Sequence, residues 1–234
     1  MWKDIQKAIE AEQEYISKGD KNIYVYLKPY GYENLEEYFK DKEQYLLSQI
    51  NFKLYLDEPT ENIDKRVWEA LKNKEACIWV PKLERVLACV GTADILDREL
   101  CKNLNVGILD MPHQGGTIIT GPKDLTIGIH FPKKSNLTYE YFFNRMVKYL
   151  EQFKIYPKGN DFLYNNKKVI GCSHNETVED MNSFFFSASF SDHTELIKKL
   201  CNKKSEKIPG VIPNILLTRQ ALLKEVLSWV NMYI

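Results

Sequence analysis

The sequence predicts an α+β fold, a mixed β-sheet with flanking helices, and three observations lead to this prediction. Short β-branched and aromatic runs alternate along the chain with amphipathic helical segments. Neighbouring strand candidates are joined by hairpin-like turns more often than by helical crossovers. The 234 residues are enough for one large domain or two small ones, with a normal hydrophobic core.

The first 49 residues are predicted to form a small N-terminal α/β extension that is mainly helical. Apolar spacing predicts a helix over Asp4–Ser17, and Asn34 is placed to cap a second helix that ends near Gln49. Between them, the β-branched and aromatic run Ile23–Leu27 predicts a short strand. Residues 50–234 are predicted to form the second domain.

Periodicity and turn residues then predict the elements of the second domain in order. The predicted strands are residues 52–56, 76–80, 85–90, 106–109, 117–120, 125–131, 162–164, 168–170 and 184–190. The predicted helices are residues 62–73, 94–104, a segment from Ser135 or Thr138 to Phe153, 192–201, and a last helix capped by Thr218 that ends at Met232.

Composition indicates which binding partners and which compartment to expect for this protein. Lys+Arg and Asp+Glu both number 32, so the formal net charge is zero, which argues against a nucleic-acid partner. Five widely spaced cysteines without a C-x-x-C pair predict reduced thiols. No run of about 18 apolar residues and no signal-peptide pattern is found, so we expect a cytoplasmic protein without a membrane partner.

From Phe52 onward, the order of elements resembles the biotin/lipoate protein ligase family, in particular its lipoate-protein ligase branch. The loop His113-Gln-Gly115-Gly116 is similar to the Gly-Gly loop of that family. The most specific match is the run from Asn160-Asp161 to Lys167-Lys168-Val-Ile-Gly171-Cys-Ser173. It is similar to the family's Asn-Asp-Ile, turn, and Gly-Lys-Lys-Ile-Ser-Gly-Ser-Ala.

The resemblance implies a class II synthetase-like catalytic fold and an acyl-adenylating ligase. Such an enzyme activates a small acyl acid, of the lipoate or octanoate type, with ATP and Mg²⁺. It then transfers the acyl group to an amine, in this family a lysine of an acceptor protein. The resemblance makes Lys168 the catalytic residue. No resident metal is expected, because the sequence has no further Cys/His cluster near Cys172 and His174. The substrate- and nucleotide-binding residues that the resemblance implies are His113, Gly115, Gly116, Thr120, Asp124, Gly171, Cys172 and Ser173.

Physical chemistry is consistent with the two main roles. A fixed ammonium at Lys168 would stabilise the negative charge that develops when the acyl carboxylate reacts. Glycines at 115 and 116 would let backbone N–H groups approach a phosphate or carboxylate closely, although a tight turn alone would also explain them. His113 is either a phosphate contact or base, or an ordinary loop histidine.

Several positions depart from the family pattern. Asp110 and Met111 stand where the ligase branch has an Arg-Arg pair, and an acidic residue near a triphosphate is unfavourable. The octanoyltransferase motif Ile-Pro-Cys-Gly corresponds to Ile208-Pro209-Gly210-Val211, so ping-pong transfer from that position is excluded. Either the acid, the nucleotide geometry or the acceptor is altered, or the chain is a catalytically degenerate member that binds a small ligand or a protein.

Two further features of the sequence allow more than one interpretation. Cys172 and His174 are two residues apart in a predicted strand, which permits a thiol–imidazole pair, half a metal site or an acyl-thioester. A small residue packed beside the ligand pocket is the simpler interpretation of Cys172. Phe184–Phe186 either lines an acyl tunnel or belongs to the core, and His130 and His193 are predicted to be structural.

Overall fold

A computed structural model describes residues 3–90, 95–110, 117–135, 137–178, 180–202 and 208–232. The chain divides into two compact units. The first consists of Met1–Ile50 with Ser135–Leu137, and the second of Asn51–Lys134 with Thr138–Ile234. Each unit contains its own cluster of buried apolar side chains.

The first unit is helical in its described residues. Its helices are α1 (Ile5–Lys18), α2 (Tyr24–Leu27) and α3 (Leu35–Ser48), with a 3₁₀ turn at Lys28–Tyr30 between the last two. Asp4 and Asn34 cap α1 and α3 by accepting backbone N–H groups of the first turn, and the cap at Asn34 is the one that the sequence predicted. Leu27, Tyr32 and Tyr38 pack with Ala8 in the core.

The predicted strand at Ile23–Leu27 is wrong, because this run forms α2. Asn22 Oδ1 accepts the backbone N–H of Tyr24 at 3.1 Å and so favours a helical start. The N–H groups of Tyr26 and Leu27 then bond to the carbonyl of Ile23. A strand needs a neighbouring strand for its backbone groups, and the described residues of this unit offer none.

The second unit contains twelve strands and five helices in its described residues. The strands are β1 (Lys53–Pro59), β2 (Cys77–Lys82), β3 (Leu87–Val90), β4 (Ile95–Leu96), β5 (Gly107–Asp110), β6 (Ile118–Thr120), β7 (Leu125–Pro132), β8 (Tyr156–Lys158), β9 (Asp161–Tyr164), β10 (Lys167–Val178), β11 (Met181–Ala188) and β12 (Cys201–Asn202). The helices are α4 (Thr60–Lys72), α5 (Arg98–Asn103), α6 (Tyr139–Glu151), α7 (Thr194–Leu200) and α8 (Arg219–Ser228).

Seven of these strands form one mixed sheet in the order β1-β2-β7-β11-β10-β9-β8. The β1–β2 pair is parallel, and the other pairs are antiparallel. A three-stranded sheet, β5-β3-β6, and a two-stranded sheet, β12-β4, accompany it. The predicted α+β fold with a mixed sheet and flanking helices is therefore confirmed.

Helices pack on both faces of the seven-stranded sheet. On one face, the ring of Phe142 in α6 lies 5.2 Å from that of Phe131 and 5.9 Å from that of Phe184. On the other face, α4 packs against Trp79 and Met181. Since side chains alternate along a strand, Phe184 and Phe186 belong to the α6 face and Phe185 to the opposite face. Phe184 and Phe186 are fully buried, so they are core residues.

A hydrogen-bonded aromatic group anchors the α4 face. The Trp79 indole lies flat over Gly128, where an added Cβ would be 2.5 Å from Trp79 Cζ2. This position lets Trp79 Nε1 donate to His130 Nε2 at 2.9 Å, while His130 Nδ1 lies 2.7 Å from Ser183 Oγ. Burial lowers the pKa of His130 to about 4, so its imidazole is neutral, and its role is structural.

The largest differences from the predicted elements occur at β8, β10 and α5. β8 is an exposed edge strand without an alternating pattern, and the sequence did not predict it. β10 continues eight residues beyond the predicted end at Ile170, because β11 pairs with its polar second half. The predicted helix over residues 94–104 is shorter and begins only after Asp97, which caps α5. Within the described part of the chain, no helix is long and apolar enough to span a membrane.

Candidate functional site

The site is built around a bulge in β10 that changes the direction of Lys168. In a regular strand, residues three apart point to opposite faces. The register against β9 shifts between Lys168 and Ile170, and this extra residue places Lys168 and Gly171 on the same side. A Cβ at position 171 would lie 3.0 Å from Lys168 Nζ, so glycine leaves room for the lysine to lie across the sheet.

Asp161 holds the Lys168 ammonium in place. Lys168 Nζ lies 2.8 Å from Asp161 Oδ1, and Asp161 is paired with Gly171 in the register of β9 and β10. The Asp161 side chain is 11% exposed and that of Lys168 is 32% exposed. An ammonium has three protons, so the bond to Asp161 leaves two that can face a ligand from the accessible side.

The backbone of Lys168 is fixed by residues 208–210. Its N–H donates to the carbonyl of Ile208 and its carbonyl accepts from the N–H of Gly210, both at 2.8 Å. A Cβ at Gly210 would lie 2.5 Å from Lys167 Cβ. The position that corresponds to the octanoyltransferase cysteine therefore lies beside Lys168 but has no space for a side chain, which agrees with the exclusion of ping-pong transfer.

A row of three hydroxyl groups, here called the hydroxyl row, lies on the same face as Lys168. Thr120 Oγ1 lies 3.1 Å from Thr126 Oγ1, which lies 3.1 Å from Ser187 Oγ. Ser187 is the register partner of Gly171, so the row ends beside the glycine over which the Lys168 side chain lies. The predicted residues Thr120, Gly171 and Lys168 are thus brought together, and Ser173 follows Gly171 on the same face.

Asp124, another residue implied by the resemblance, has a structural environment. Its Oδ1 accepts the N–H groups of Phe190 and Ser191 at 2.7 and 2.8 Å. Its Oδ2 accepts the N–H of Gly121 at 2.7 Å and pairs with His193 Nε2 at 2.6 Å. A carboxylate offers about four lone-pair positions, so contact with a nucleotide or magnesium ion would require one of these bonds to break.

Cys172 lies on the sheet face opposite Lys168, because it is the register partner of Phe186. Burial, followed by the negative charge of Asp161, raises the pKa of its thiol, so the thiolate is disfavoured. The His174 ring stacks on Tyr139, with centroids 3.9 Å apart and planes 3° apart. Among the described side chains, no group of three or more His, Cys, Asp or Glu residues could hold a metal ion.

Three predicted residues, His113, Gly115 and Gly116, lie outside the described residues. Their roles stay predictions, as do the ligand contacts of Thr120, Asp124, Gly171, Cys172 and Ser173. Asp161 and the residues Thr126 and Ser187 were missed as site residues. Asp161 already stood in the Asn-Asp part of the best-matching motif, whereas the two hydroxyl residues carry no sequence signal and are identified only by the strand register.

Solved structures share this fold at low sequence identity. Lipoate-protein ligase A bound with ATP matches with a TM-score of 0.57 and 13% identity over 79% of this chain and 87% of that chain. A bipartite lipoate protein ligase from Thermoplasma acidophilum matches with a TM-score of 0.57 and 11% identity over 79% and 85%. LipL1 from P. falciparum in complex with lipoate matches with a TM-score of 0.56 and 13% identity over 76% of this chain.

The match spans 61% of the length of LipL1. No protein-family model matches the sequence, and no curated protein matches it either. The chain therefore has the fold of the lipoate-protein ligases, and the predicted resemblance is confirmed at the level of the fold.

Proposed function

We propose that this protein activates a small carboxylic acid with ATP and transfers the acyl group to an amine, most simply a lysine of an acceptor protein. The observation that supports this proposal is the Lys168 ammonium, fixed by Asp161 and partly exposed beside a glycine floor. An immobile cation at this place stabilises an anionic oxygen without needing to reorganise during the reaction. The fold, shared with lipoate-protein ligases, is the second line of support.

The described residues fit the acid better than the nucleotide. Lys168 offers two ammonium protons to an acyl carboxylate or a phosphate oxygen, whereas Asp124 has its four lone-pair positions occupied and does not fit a magnesium ion. ATP would supply the leaving group that makes the carboxylate reactive. The contribution of this chain that we derive is the positioning and charge stabilisation by Lys168.

ATP–pyrophosphate exchange tests the proposal. The wild type should catalyse exchange that depends on one acid from a panel of lipoate, octanoate, biotin and shorter acids. Lys168→Ala should lower the rate by about a hundredfold or more, because it removes a preorganised donor. Lys167→Ala is the matched control: the neighbouring lysine is exposed, and its removal should leave the rate within about twofold. Folded wild-type protein without exchange for any acid would contradict the proposal.

A binding module without catalysis is the second candidate. It is favoured by the neutralising Asp161 next to Lys168 and by the occupied carboxylate of Asp124. Thermal shift separates the two functions. A ligase should be stabilised by acid and ATP together beyond the effect of either alone, because a tightly bound adenylate favours the folded state. A binding module should respond to one ligand only.

A further inference from the structure

The sheet surface beside Lys168, here called the floor, is formed by residues that follow one another across the strands rather than along one strand. Asp161, Gly171, Ser187 and Thr126 are successive register partners on β9, β10, β11 and β7, so their side-chain positions share one face. Neighbouring strands are about 4.8 Å apart. Ser187 is therefore about 5 Å and Thr126 about 10 Å from the glycine that lies under Lys168 Nζ.

Aromatic rings cover part of the next row of residues along the strands. That row, about 7 Å further, contains Ser173, Phe185 and Gly128. The Trp79 ring covers Gly128, and the centroids of Trp79 and Phe185 are 6.0 Å apart. An acid with its carboxylate at Lys168 can extend across the hydroxyl row or over Ser173, and in both directions the first side chain that it meets carries a hydroxyl.

Among the described residues, one proton of the hydroxyl row has no acceptor. Three hydroxyl groups contain three protons, and the two hydrogen bonds within the row use two of them. The contacts of the described residues provide no further acceptor for this row. Ser187 is 5% exposed and Thr120 is 1% exposed, whereas Thr126 between them is half-buried, so the row is accessible at Thr126. An alkyl chain laid over it would leave that donor unsatisfied, whereas an oxygen atom of the ligand would accept it.

Resting on the proposed function, we propose that the acid bound beside Lys168 is a hydroxy- or oxo-carboxylic acid, with an oxygen on its chain about 5 to 10 Å from the carboxylate. Lys168 would hold the carboxylate, and Ser187 with Thr126 would select the second oxygen. A saturated acyl acid such as octanoate would lie on the same floor but has no chain oxygen that could accept the hydroxyl proton. The selection would thus come from the hydroxyl row.

Calorimetric titration of the full chain with a matched pair of acids tests this inference. Hexanoate and 5-oxohexanoate have the same length, but only the second has a chain oxygen about 5 Å from its carboxylate carbon, opposite Ser187. We expect 5-oxohexanoate to bind about three- to tenfold more tightly, the ratio of one net hydrogen bond. Ser187→Ala and Thr126→Val should lower the ratio to about one. Ser189→Ala, on the same segment but outside the row, should leave it unchanged.

The outcomes separate this inference from the proposed function. If hexanoate binds as well as 5-oxohexanoate, or if octanoate or lipoate binds more tightly than both, the inference is overturned, while acid-dependent exchange can still support the function. If 5-oxohexanoate is preferred but no acid supports ATP–pyrophosphate exchange, the inference stands and the proposed function fails. Absence of binding by any acid overturns the inference, and the exchange assay then decides the proposed function by itself. The wild-type ratio decides even if a row variant fails to fold.

Discussion

Lowering the pH from about 7.5 to about 5 should remove about 2 kcal/mol from the free energy of unfolding through one side chain, His130. The indole N–H of Trp79 is only a donor, so His130 Nε2 must accept and its proton must be on Nδ1, which faces Ser183 Oγ. A second proton on Nε2 would place two donors against each other in a buried site.

The magnitude follows from proton linkage. Burial lowers the pKa of His130 from 6.5 to about 4 in the folded protein, whereas the unfolded chain keeps the ordinary value. Between these values the unfolded state binds more protons, so stability is fully present above 6.5 and is lost as the pH falls toward 4. One pKa unit is worth about 1.4 kcal/mol, which gives about 3 to 4 kcal/mol in total and about 2 kcal/mol by about pH 5.

Urea unfolding at both pH values measures this loss in the wild type and in His130→Gln. Glutamine places an acceptor near the position of Nε2 but has no titrating group, so Trp79 keeps a partner. Carboxylates such as Asp180 and Asp192, whose pKa values are lowered by hydrogen bonds, lose stability equally in both proteins and cancel in the difference. We expect the wild type to lose about 2 kcal/mol more than the variant.

Equal losses in the two proteins would refute this reasoning. If His130→Gln does not fold, an NMR titration of the wild-type imidazole provides the second measurement. The ring of His130 should stay neutral in the folded protein at about pH 5, and protonation near its ordinary pKa would contradict the geometry in the same way.

Three further substitutions test the packing around the site. Gly128→Ala should displace the Trp79 ring and destabilise the fold by about 1 to 3 kcal/mol in urea unfolding, because the new Cβ has no space. Asp124→Asn should cost on the order of 3 kcal/mol in the same assay, since an amide cannot accept all four hydrogen bonds. Gly210→Cys should lower the melting temperature, whereas Val211→Cys, one residue further, should not.

Local sequence patterns were sufficient to predict most helices and strands, because helix caps and apolar runs involve residues that are close in sequence. Caps at Asp4 and Asn34 act within one helical turn, and the apolar run of β7 is buried in the middle of the sheet. The run Ile23–Leu27 was mispredicted because β-branched and aromatic residues also occur in short helices, and in this one only Leu27 is buried. Whether this run forms a helix or a strand depends on Asn22 and on the lack of a described partner strand, and residue composition reveals neither.

The candidate site could be predicted only in part, because strand register assembles it. The resemblance implied site roles for Lys168, Gly171 and Thr120 from their places in the chain, and these roles stay predictions. The bulge that turns Lys168 toward Gly171, and the pairing of Gly171 with Ser187, depend on contacts between distant strands. For the same reason, Cys172 was predicted as a binding residue together with Gly171 and Ser173, although alternation along β10 places it on the sheet face opposite Lys168.

Under the proposed function, the charges of the described residues suit an acid better than a nucleotide. Lys168 is balanced by Asp161. Three arginines elsewhere in the second unit already have partners: Arg66 pairs with Glu58, Arg85 with Asn105, and Arg219 with the Asp124 carbonyl. A triphosphate needs several cations to offset its charge, while one carboxylate needs only the two protons that Lys168 has available. The acid should therefore bind measurably without ATP. If the acid binds only after ATP, residues beyond those described must complete the acid site, and the hydroxyl row would not be its main determinant.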